Sequence, residues 1–330
     1  MTTLDVRGLS VRYHTGAATL TAVDGIDLSV PPGGTLGLVG ESGCGKSTVA
    51  RAIMQLVPVA AGRVLLDGED VVGARGPRLR ALHRRVQMVF QDPYASLNPR
   101  MAVGEALSEA ITTHRVLGAR QRVAEVVRLL DLVGLDTRSV TKYPHQFSGG
   151  QRQRIAIARA LAVGPDILIA DEVTSSVDVS VQATILNLLK ELQRTLGLSF
   201  LFISHNLAVV RYMSDVVSVM YLGRIVECAP TAALFAAPRH PYTRVLVDSI
   251  PKTVSRTSAG RMRLSGDLPD PRDPPPGCRF HTRCPIGPMT HPDRTVCRDV
   301  APSPGGGIGT HVAACHFPLN GTQATGPAAV

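Results

Sequence analysis

The sequence predicts an α/β protein, and three observations lead to that prediction. Apolar residues alternate along short strand-like segments, strand and helix patterns follow one another along the chain, and a glycine-rich loop at 40–47 joins a strand to a helix. Composition agrees with a folded protein, because 330 residues with 44% hydrophobic and 18% charged side chains can bury a sizeable core.

The strand and helix patterns divide the chain into a first domain and an extension. The predicted strands lie at 4–13, 23–30, 35–39, 63–66, 86–90, 167–170, 199–203 and 216–221, and the predicted helices at 46–56, 102–112, 121–133, 151–162, 179–196 and 207–214. Strand signals vanish between about 100 and 164, which predicts an inserted helical subdomain. We predict a domain over 1–240, an irregular extension over 241–319 and a loose tail over 320–330, since 13 of the 24 prolines lie in the last 80 residues.

Charge and hydropathy limit the class of protein. Thirty-five Lys and Arg against 26 Asp and Glu give a net charge of +9, but the basic residues are scattered, so charge alone does not indicate nucleic acid. Neither a membrane span nor a secretory signal pattern is visible in the sequence, so we expect a cytosolic chain whose six cysteines form no disulfides.

The glycine-rich loop fits the phosphate-binding pattern G-x-x-x-x-G-K-[ST]. Its residues are Gly40, Glu41, Ser42, Gly43, Cys44, Gly45, Lys46 and Ser47, followed by Thr48. Glycines allow backbone N–H groups to surround phosphate oxygens, Lys46 neutralises their charge, and Ser47 is a ligand for Mg²⁺. The alternative, a plain glycine-rich turn, does not explain the flanking strand and helix.

A buried-type strand at 167–170 ends in two acids, Asp171 and Glu172. Carboxylates at the C-terminal edge of a parallel sheet lie where ligands bind. Asp171 is predicted to hold Mg²⁺, and Glu172 to orient the water that attacks the γ-phosphate. The alternative for Glu172 is a charge at a helix N-terminus.

A second anion-binding helix start is predicted at Ser148, Gly149, Gly150 and Gln151, after Phe147. This segment resembles the signature sequence of the ATP-binding cassette (ABC) family, and the resemblance covers nearly the whole chain. It implies a P-loop NTPase cassette with a RecA-like mixed sheet, an antiparallel β subdomain and a helical subdomain. It also implies a head-to-tail pair in which the signature of one cassette closes on the ATP of the other.

The resemblance assigns roles to further residues. Tyr13 resembles the aromatic that stacks on adenine, Gln91 the Q-loop glutamine near Mg²⁺, Asp178 the D-loop aspartate and His205 the switch histidine. Taken singly, Tyr13, Gln91 and His205 are ordinary strand-end residues, and their order and spacing carry the interpretation. The sequence departs from the family pattern at Val173, Val177 and Asn206, where the family commonly has Pro, Leu and Asp; we still expect hydrolysis.

Segments 90–100 and 239–243 resemble the ATPases of bacterial di- and oligopeptide importers, most closely the second of their paired ATPases. That resemblance implies a peripheral motor at the cytoplasmic face of the membrane. Its partners are then a second cassette in a heterodimer, two transmembrane permease subunits and an extracytoplasmic peptide-binding protein. Two alternatives stay open: a weakly hydrolysing regulatory cassette, or a soluble ABC protein acting on ribosomes or nucleic acid.

Four cysteines, Cys278, Cys284, Cys297 and Cys315, follow C-x5-C-x12-C-x17-C in the proline-rich extension. Four thiolates suit Zn²⁺ or a 4Fe-4S cluster, and free structural thiols are the alternative. The segment resembles the cysteine region of peptide-importer ATPases, which implies the 4Fe-4S cluster in preference to Zn²⁺. His281, His311 and His316 are further candidate ligands, but we interpret them as solvated surface histidines. Cys44 and Cys228 are interpreted as packing residues.

Overall fold

The protein is described by a computed structural model covering residues 2–16, 18–92, 97–114, 117–175, 178–250, 262, 266–303 and 310–319. Its strands are β1 (Leu4–Thr15), β2 (Ala18–Val30), β3 (Thr35–Val39), β4 (Ala61–Leu66), β5 (Glu69–Asp70), β6 (Val86–Val89), β7 (Ile167–Asp171), β8 (Ser199–Ser204), β9 (Val216–Tyr221), β10 (Arg224–Pro230) and β11 (Val312–Ala313). Its helices are α1 (Lys46–Ile53), α2 (Gly76–Arg85), α3 (Val103–His114), α4 (Ala119–Leu132), α5 (Gly149–Leu161), α6 (Val179–Leu196), α7 (Leu207–Met213), α8 (Thr231–Ala236), α9 (Pro241–Asp248) and α10 (Val296–Asp299). The predicted tail at 320–330 lies outside the described residues.

Two sheets organise the described residues. A four-stranded antiparallel sheet has the order β2-β1-β4-β5, and a seven-stranded sheet has the order β11-β10-β9-β3-β8-β7-β6. The strands β9, β3, β8, β7 and β6 are parallel, whereas β10 and β11 are antiparallel additions at one edge. The predicted α/β fold is confirmed.

The parallel part of the seven-stranded sheet is buried on both faces. Along β8, Phe200 and Phe202 point into the core shared with the helices, whereas Leu201 and Ile203 point into the core shared with the four-stranded sheet. The two-residue period of a strand explains this division, and burial on both faces explains the uninterrupted apolar sequence. Every residue of β8 is accordingly buried.

The inserted helical subdomain contains α3, α4 and α5 with two short 3₁₀ helices, Thr137–Thr141 and Pro144–Gln146. The predicted helices end within a few residues of the observed ones. Helix α2 was not predicted, because Leu82 is its only buried residue and the rest of its sequence carries no apolar stripe. No helix in the described part of the chain is long and apolar enough to span a membrane.

The C-terminal extension adds a strand to the large sheet. β11 pairs antiparallel with β10, with Ala313 opposite Glu227 and Val312 opposite Cys228. A division of the chain at 240 stays a prediction, and this pairing joins the residues on either side of it into one sheet.

Glu227 fixes the extension at this edge. Its carboxylate is fully buried and accepts hydrogen bonds from the backbone N–H groups of Arg239 and His240, both at 2.8 Å. The Nε2 atom of His311 lies 2.7 Å from the same carboxylate. One side chain therefore holds β10, the start of α9 and the residue that precedes β11.

We expect Glu227→Ala to lower the free energy of unfolding by about 3 kcal/mol, because it leaves two buried N–H groups and His311 without their acceptor. Urea-induced unfolding followed by circular dichroism measures the change. Glu69→Ala is the control, since Glu69 forms an exposed pair with Arg78 and its loss should change stability by less than about 0.5 kcal/mol. Equal effects of the two substitutions would contradict the anchoring role of Glu227.

Candidate nucleotide site

The phosphate loop connects β3 to α1 and needs glycine at two crowded positions. Gly45 has φ of 109°, and a Cβ there would collide with the carbonyl oxygen of Ala22. A Cβ at Gly40 would collide with the carbonyl oxygen of Met220. Side chains at these positions would push the loop away from its neighbours, so the loop's path depends on glycine.

Lys46 lies inside this loop and is buried. Its Nζ donates hydrogen bonds to the carbonyl oxygens of Gly40 and Glu41, at 2.8 and 2.9 Å. The ammonium therefore stands at the centre of the loop, where a phosphate group would replace these carbonyl partners. Cys44 is also buried in the loop, which agrees with its interpretation as a packing residue.

Ser47 and Asp171 meet at the next position. Ser47 Oγ donates a hydrogen bond to Asp171 Oδ1 at 3.0 Å, across the ends of α1 and β7. Burial raises the pKa of Asp171, partly offset by the bond from Ser47. A buried carboxylate beside a hydroxyl supplies the oxygen ligands that Mg²⁺ prefers.

Glu172 has two of the predicted site residues as neighbours. Gln91 Nε2 donates a hydrogen bond to Glu172 Oε2 at 3.1 Å, and His205 Nδ1 lies 3.3 Å from Glu172 Oε1. The structure thus brings together Gln91, Glu172 and His205 from three separate segments. In this arrangement Gln91 contacts Glu172, the neighbour of Asp171, and not Asp171 itself.

The backbone of Glu172 adopts φ of 48°, a left-handed conformation that costs a non-glycine residue about 1–2 kcal/mol. Its N–H donates to the carbonyl oxygen of Ile203 at 3.0 Å, and its own carbonyl accepts bonds from the backbone and the hydroxyl of Ser175. The next residue, Val173, is completely buried. Core packing of Val173 therefore holds this turn, whereas the proline common in the family would hold it by fixing φ.

The predicted signature segment begins α5. Ser148 Oγ accepts a hydrogen bond from the Gln151 N–H at 3.3 Å, and the Gln151 side chain accepts one from the Ser148 N–H at 3.0 Å. This reciprocal pair is a capping box. Gly150 packs so closely on Val181 of α6 that a side chain there would collide, while Phe147 is buried beneath the segment.

The remaining predicted residues lie at element ends. Tyr13 is half-buried near the end of β1 and packs on the core of the four-stranded sheet. Asp178 precedes α6, is exposed, and accepts the Gln182 N–H through its carbonyl oxygen at 2.8 Å. Asn206 caps α7 through its side-chain oxygen, which explains how it serves in place of Asp. Val177 and residues 93–96 lie outside the described residues.

Comparisons with known proteins identify the family of this chain. The family model described as "ABC transporter" matches residues 23–175, and "Oligopeptide/dipeptide transporter, C-terminal region" matches residues 226–288. A putative peptide import ATP-binding protein of Brucella ovis is 47% identical over 283 residues, covering 86% of this chain and 89% of the relative. The chain belongs to the ABC transporter family. The oligopeptide transport ATP-binding protein AppF of Bacillus subtilis is 46% identical over 299 residues, with 90% and 89% coverage.

Solved ABC cassettes share the fold. The ATP-binding cassette MJ0796, in a dimeric post-hydrolysis state bound to ADP and Pi, is 27% identical with a TM-score of 0.61, covering 67% of this chain and 96% of that chain. Clostridium perfringens cbiO1, part of the ABC transporter complex cbiONQ, is 29% identical with a TM-score of 0.64, covering 71% and 90%. The chain is an ABC ATPase and uses ATP with Mg²⁺.

Two further residues contact the phosphate loop, although the sequence did not predict them as site residues. Tyr242 Oη accepts a hydrogen bond from the Glu41 N–H at 3.0 Å, and Arg283 forms an ion pair with the Glu41 carboxylate at 2.9 Å. The segment at 239–243 and the cysteine segment, which runs from Cys278 to Cys315, both resemble features of the family. Nothing in their local sequence indicates contact with a loop some 200 residues earlier.

The four cysteines of the extension line one small cavity together with His240, Phe280, His281 and His316. Burial raises the pKa of the Cys284 and Cys315 thiols to about 12. Within the described ranges, no three Cys, His, Asp or Glu side chains are grouped closely enough to hold a single metal ion. The Zn²⁺ alternative therefore has no support from the geometry.

The three histidines considered as substitute ligands have protein partners. His281 Nδ1 lies 2.9 Å from the carbonyl oxygen of Cys278, and His316 Nε2 lies 2.9 Å from that of Val300. His311 is largely buried against Glu227, so its interpretation as a solvated surface residue is wrong. Cys228 accepts a bond from Ser218, in keeping with a packing role.

We expect Asp171→Asn to lower MgATP hydrolysis by about 100-fold or more, because it removes the charge that holds Mg²⁺. In EDTA the variant should unfold at a higher temperature than the wild type at neutral pH. Because burial raises the pKa of Asp171, its ionised carboxylate destabilises the metal-free fold above that pKa. The difference in unfolding temperature between the variant and the wild type should therefore shrink as the pH is lowered through this pKa. Asp131→Asn, at an exposed position on α4, is the control. Unchanged hydrolysis in Asp171→Asn would contradict the assignment.

Proposed function

We propose that this chain is the ATP-hydrolysing motor subunit of a membrane importer for di- or oligopeptides. The observation that carries the hydrolytic part is the meeting of Gln91, Glu172 and His205 beside the Ser47–Asp171 pair. The peptide assignment is supported by the match of residues 226–288 to the oligopeptide/dipeptide transporter region and by the names of the relatives.

Each site residue has a role in the proposed reaction. The N–H groups of the phosphate loop and Lys46 bind the β- and γ-phosphates, and Ser47 and Asp171 hold Mg²⁺. Glu172 orients and polarises the attacking water. Gln91 and His205, which contact the two oxygens of Glu172, keep its carboxylate directed toward the γ-phosphate position.

The exposed signature segment supports the partner arrangement that we propose. Ser148 and Gln151 are solvent-accessible at the N-terminus of α5, where a second cassette would present its own ATP. ATP held between Lys46 of one cassette and Ser148 of its partner contacts both subunits only in the closed pair, so binding shifts the equilibrium toward closure. We propose a heterodimer of cassettes that works with two permease subunits and an extracytoplasmic peptide-binding protein.

The cleft next to Gln91 offers a place for the permease. A cavity of about 320 Å³ lies between β6, α3 and α5, and its lining includes Phe90, Glu109, His114 and Arg159. Phe90 is 39% exposed, although it is a large apolar side chain directly before Gln91. A permease segment seated there would contact the residue that precedes the Q-loop glutamine. This cleft supports docking of a membrane subunit, and the peripheral position that we propose at the cytoplasmic face rests on the peptide-import relatives.

We expect Glu172→Gln to reduce ATP hydrolysis by the assembled complex by about 100-fold or more, while ATP binding is retained. The reason is that glutamine keeps the contacts of the side chain but cannot polarise the water. The measurement is phosphate release by the complex with its permease and second cassette. Glu191→Gln, an exposed position on α6, is the control. Turnover equal to the wild type would reject the motor role and favour a regulatory cassette whose partner hydrolyses ATP.

We further propose that Cys278, Cys284, Cys297 and Cys315 hold a 4Fe-4S cluster. The four thiols line one cavity, and four thiolates are the ligand set of a 4Fe-4S cluster. His240 Nδ1 accepts the Tyr242 N–H, which leaves its proton on Nε2. That atom is buried, lacks a hydrogen-bond partner among the described residues, and belongs to a side chain lining the same cavity, where cluster sulfur would be an acceptor.

The protonation of the cysteines bears on this proposal. Because burial raises the pKa of Cys284 and Cys315 to about 12, these thiols keep their protons in the metal-free chain at neutral pH. Iron binding would release them. When bound, the cluster would supply a cross-link between segments of a proline-rich extension and a centre capable of one-electron transfer.

We expect the chain purified without oxygen to contain about four iron and about four acid-labile sulfide per molecule. Cys284→Ser should lose most of both, because it removes one of the four ligands. Cys228→Ser is the matched control, since Cys228 lies on β10 with Ser218 as its partner, and it should keep the wild-type content. Stoichiometric zinc, or wild-type protein without iron, would overturn the cluster.

A further inference from the structure

Glu41 of the phosphate loop is held on three sides. Its carbonyl oxygen accepts from Lys46, its N–H donates to Tyr242 Oη at 3.0 Å, and its carboxylate is paired with Arg283 at 2.9 Å. Tyr242 lies on α9, and Arg283 lies in the cysteine segment. Two of the three partners of this loop residue therefore belong to the C-terminal extension.

The pair between Glu41 and Arg283 is shielded from water. The Arg283 side chain is 8% exposed and that of Glu41 is 24% exposed. Arg283 also lies over the ring of Tyr221 and donates to its hydroxyl oxygen at 3.4 Å. Tyr221, Tyr242 and Phe280 pack as an aromatic cluster beside this pair, with ring centroids 4.8 to 5.4 Å apart. Low exposure strengthens the charge interaction.

The charge of Glu41 explains why the pair matters for nucleotide binding. A carboxylate in a loop that surrounds phosphate oxygens opposes the bound anion unless a cation neutralises it. Lys46 bonds the backbone carbonyl oxygen of Glu41 and not its carboxylate, so it does not pair with that negative charge. Arg283 is the cation paired with the carboxylate, and Tyr242 accepts the Glu41 N–H, so these two contacts hold Glu41 in place.

We propose that the C-terminal extension completes the nucleotide site, with Arg283 and Tyr242 as positioning residues that act on ATP through Glu41. The inference rests on the nucleotide site proposed above. Because Arg283 is followed directly by Cys284, order in the cysteine segment and order in the phosphate loop are coupled through one ion pair. By linkage, whatever loosens the cysteine segment lowers ATP affinity.

A double-mutant cycle on the full chain tests the proposal, with ATP affinity read from titration of a fluorescent ATP analogue in Mg²⁺. Arg283→Gln should weaken binding by about tenfold, because it leaves the Glu41 carboxylate unneutralised beside the phosphates. Adding Glu41→Gln to Arg283→Gln should restore affinity to within about threefold of the wild type. A merely structural role for Arg283 would not be rescued by a change in the loop.

Matched controls come from an exposed pair in the same extension. Arg272 and Asp270 lie 3.7 Å apart and are 70% and 58% exposed. Arg272→Gln and Asp270→Asn, alone and together, should change ATP affinity by less than about twofold. Wild-type affinity in Arg283→Gln would overturn the proposal. So would a double variant as weak as Arg283→Gln alone.

Tyr242→Phe provides a second test if Arg283→Gln does not fold. It removes only the hydroxyl that accepts the Glu41 N–H, and should weaken ATP binding by about threefold to tenfold. Tyr212→Phe, at an exposed tyrosine whose hydroxyl contacts Asn187, is its control. Wild-type affinity in Tyr242→Phe would count against the proposal.

Lys46→Ala separates the two levels of inference. If Lys46→Ala leaves ATP binding unchanged, the nucleotide site itself is misassigned. If it abolishes binding while Arg283→Gln and Tyr242→Phe bind normally, the site stands and the role of the extension is rejected.

Discussion

Parallel pairing of β3, β8 and β7 is the constraint on which the nucleotide site depends. Val39 lies opposite Ser204, and Asp171 lies opposite Ile203. The phosphate loop, the acidic pair and His205 follow these three strand ends, so all of them leave the sheet at one edge. The N–H of Glu172 continues this pairing by one bond to Ile203 beyond the end of β7. A shift in register would separate Asp171, the proposed metal ligand on β7, from the phosphate loop.

Residues of the site were predictable wherever a short motif coincides with a strand end. The loop around Lys46 and the acids at 171–172 lie at the ends of buried apolar strands, and parallel strands bring such ends together. Gln91 and His205 were predicted as site residues only through the family resemblance, and their contacts with Glu172 were not predicted. The pairing of β10 with β11 and the contact of Arg283 with Glu41 were not predictable, because they join distant segments without any periodic pattern.

The turn after β7 shows how the chain tolerates its departure from the family pattern. Glu172 occupies a left-handed conformation, which the surrounding structure must maintain against an intrinsic cost. Three hydrogen bonds of its backbone, to Ile203 and Ser175, and complete burial of Val173 supply that restraint. An apolar side chain anchored in the core restrains the turn through packing, whereas proline would restrain it through a ring. With Val173 in this position, the Glu172 carboxylate contacts Gln91 and His205.

The extension is attached to the cassette by buried polar contacts in addition to the apolar packing of Tyr242 and Phe280 against Tyr221. Glu227 binds it at the sheet edge, and Glu41 binds it at the phosphate loop. Buried charges need partners with good geometry, so these contacts define the position of the extension more narrowly than apolar packing of similar area would. Arg279 adds a third attachment, because it pairs with Asp24 and donates to the carbonyl oxygen of Leu222. The next residue, Gly223, donates its N–H to the carbonyl oxygen of Cys44 in the phosphate loop. The cysteine segment therefore contacts the phosphate loop directly through Arg283 and Glu41, so under the proposal above a change in its order would reach that loop without any large movement of the sheet.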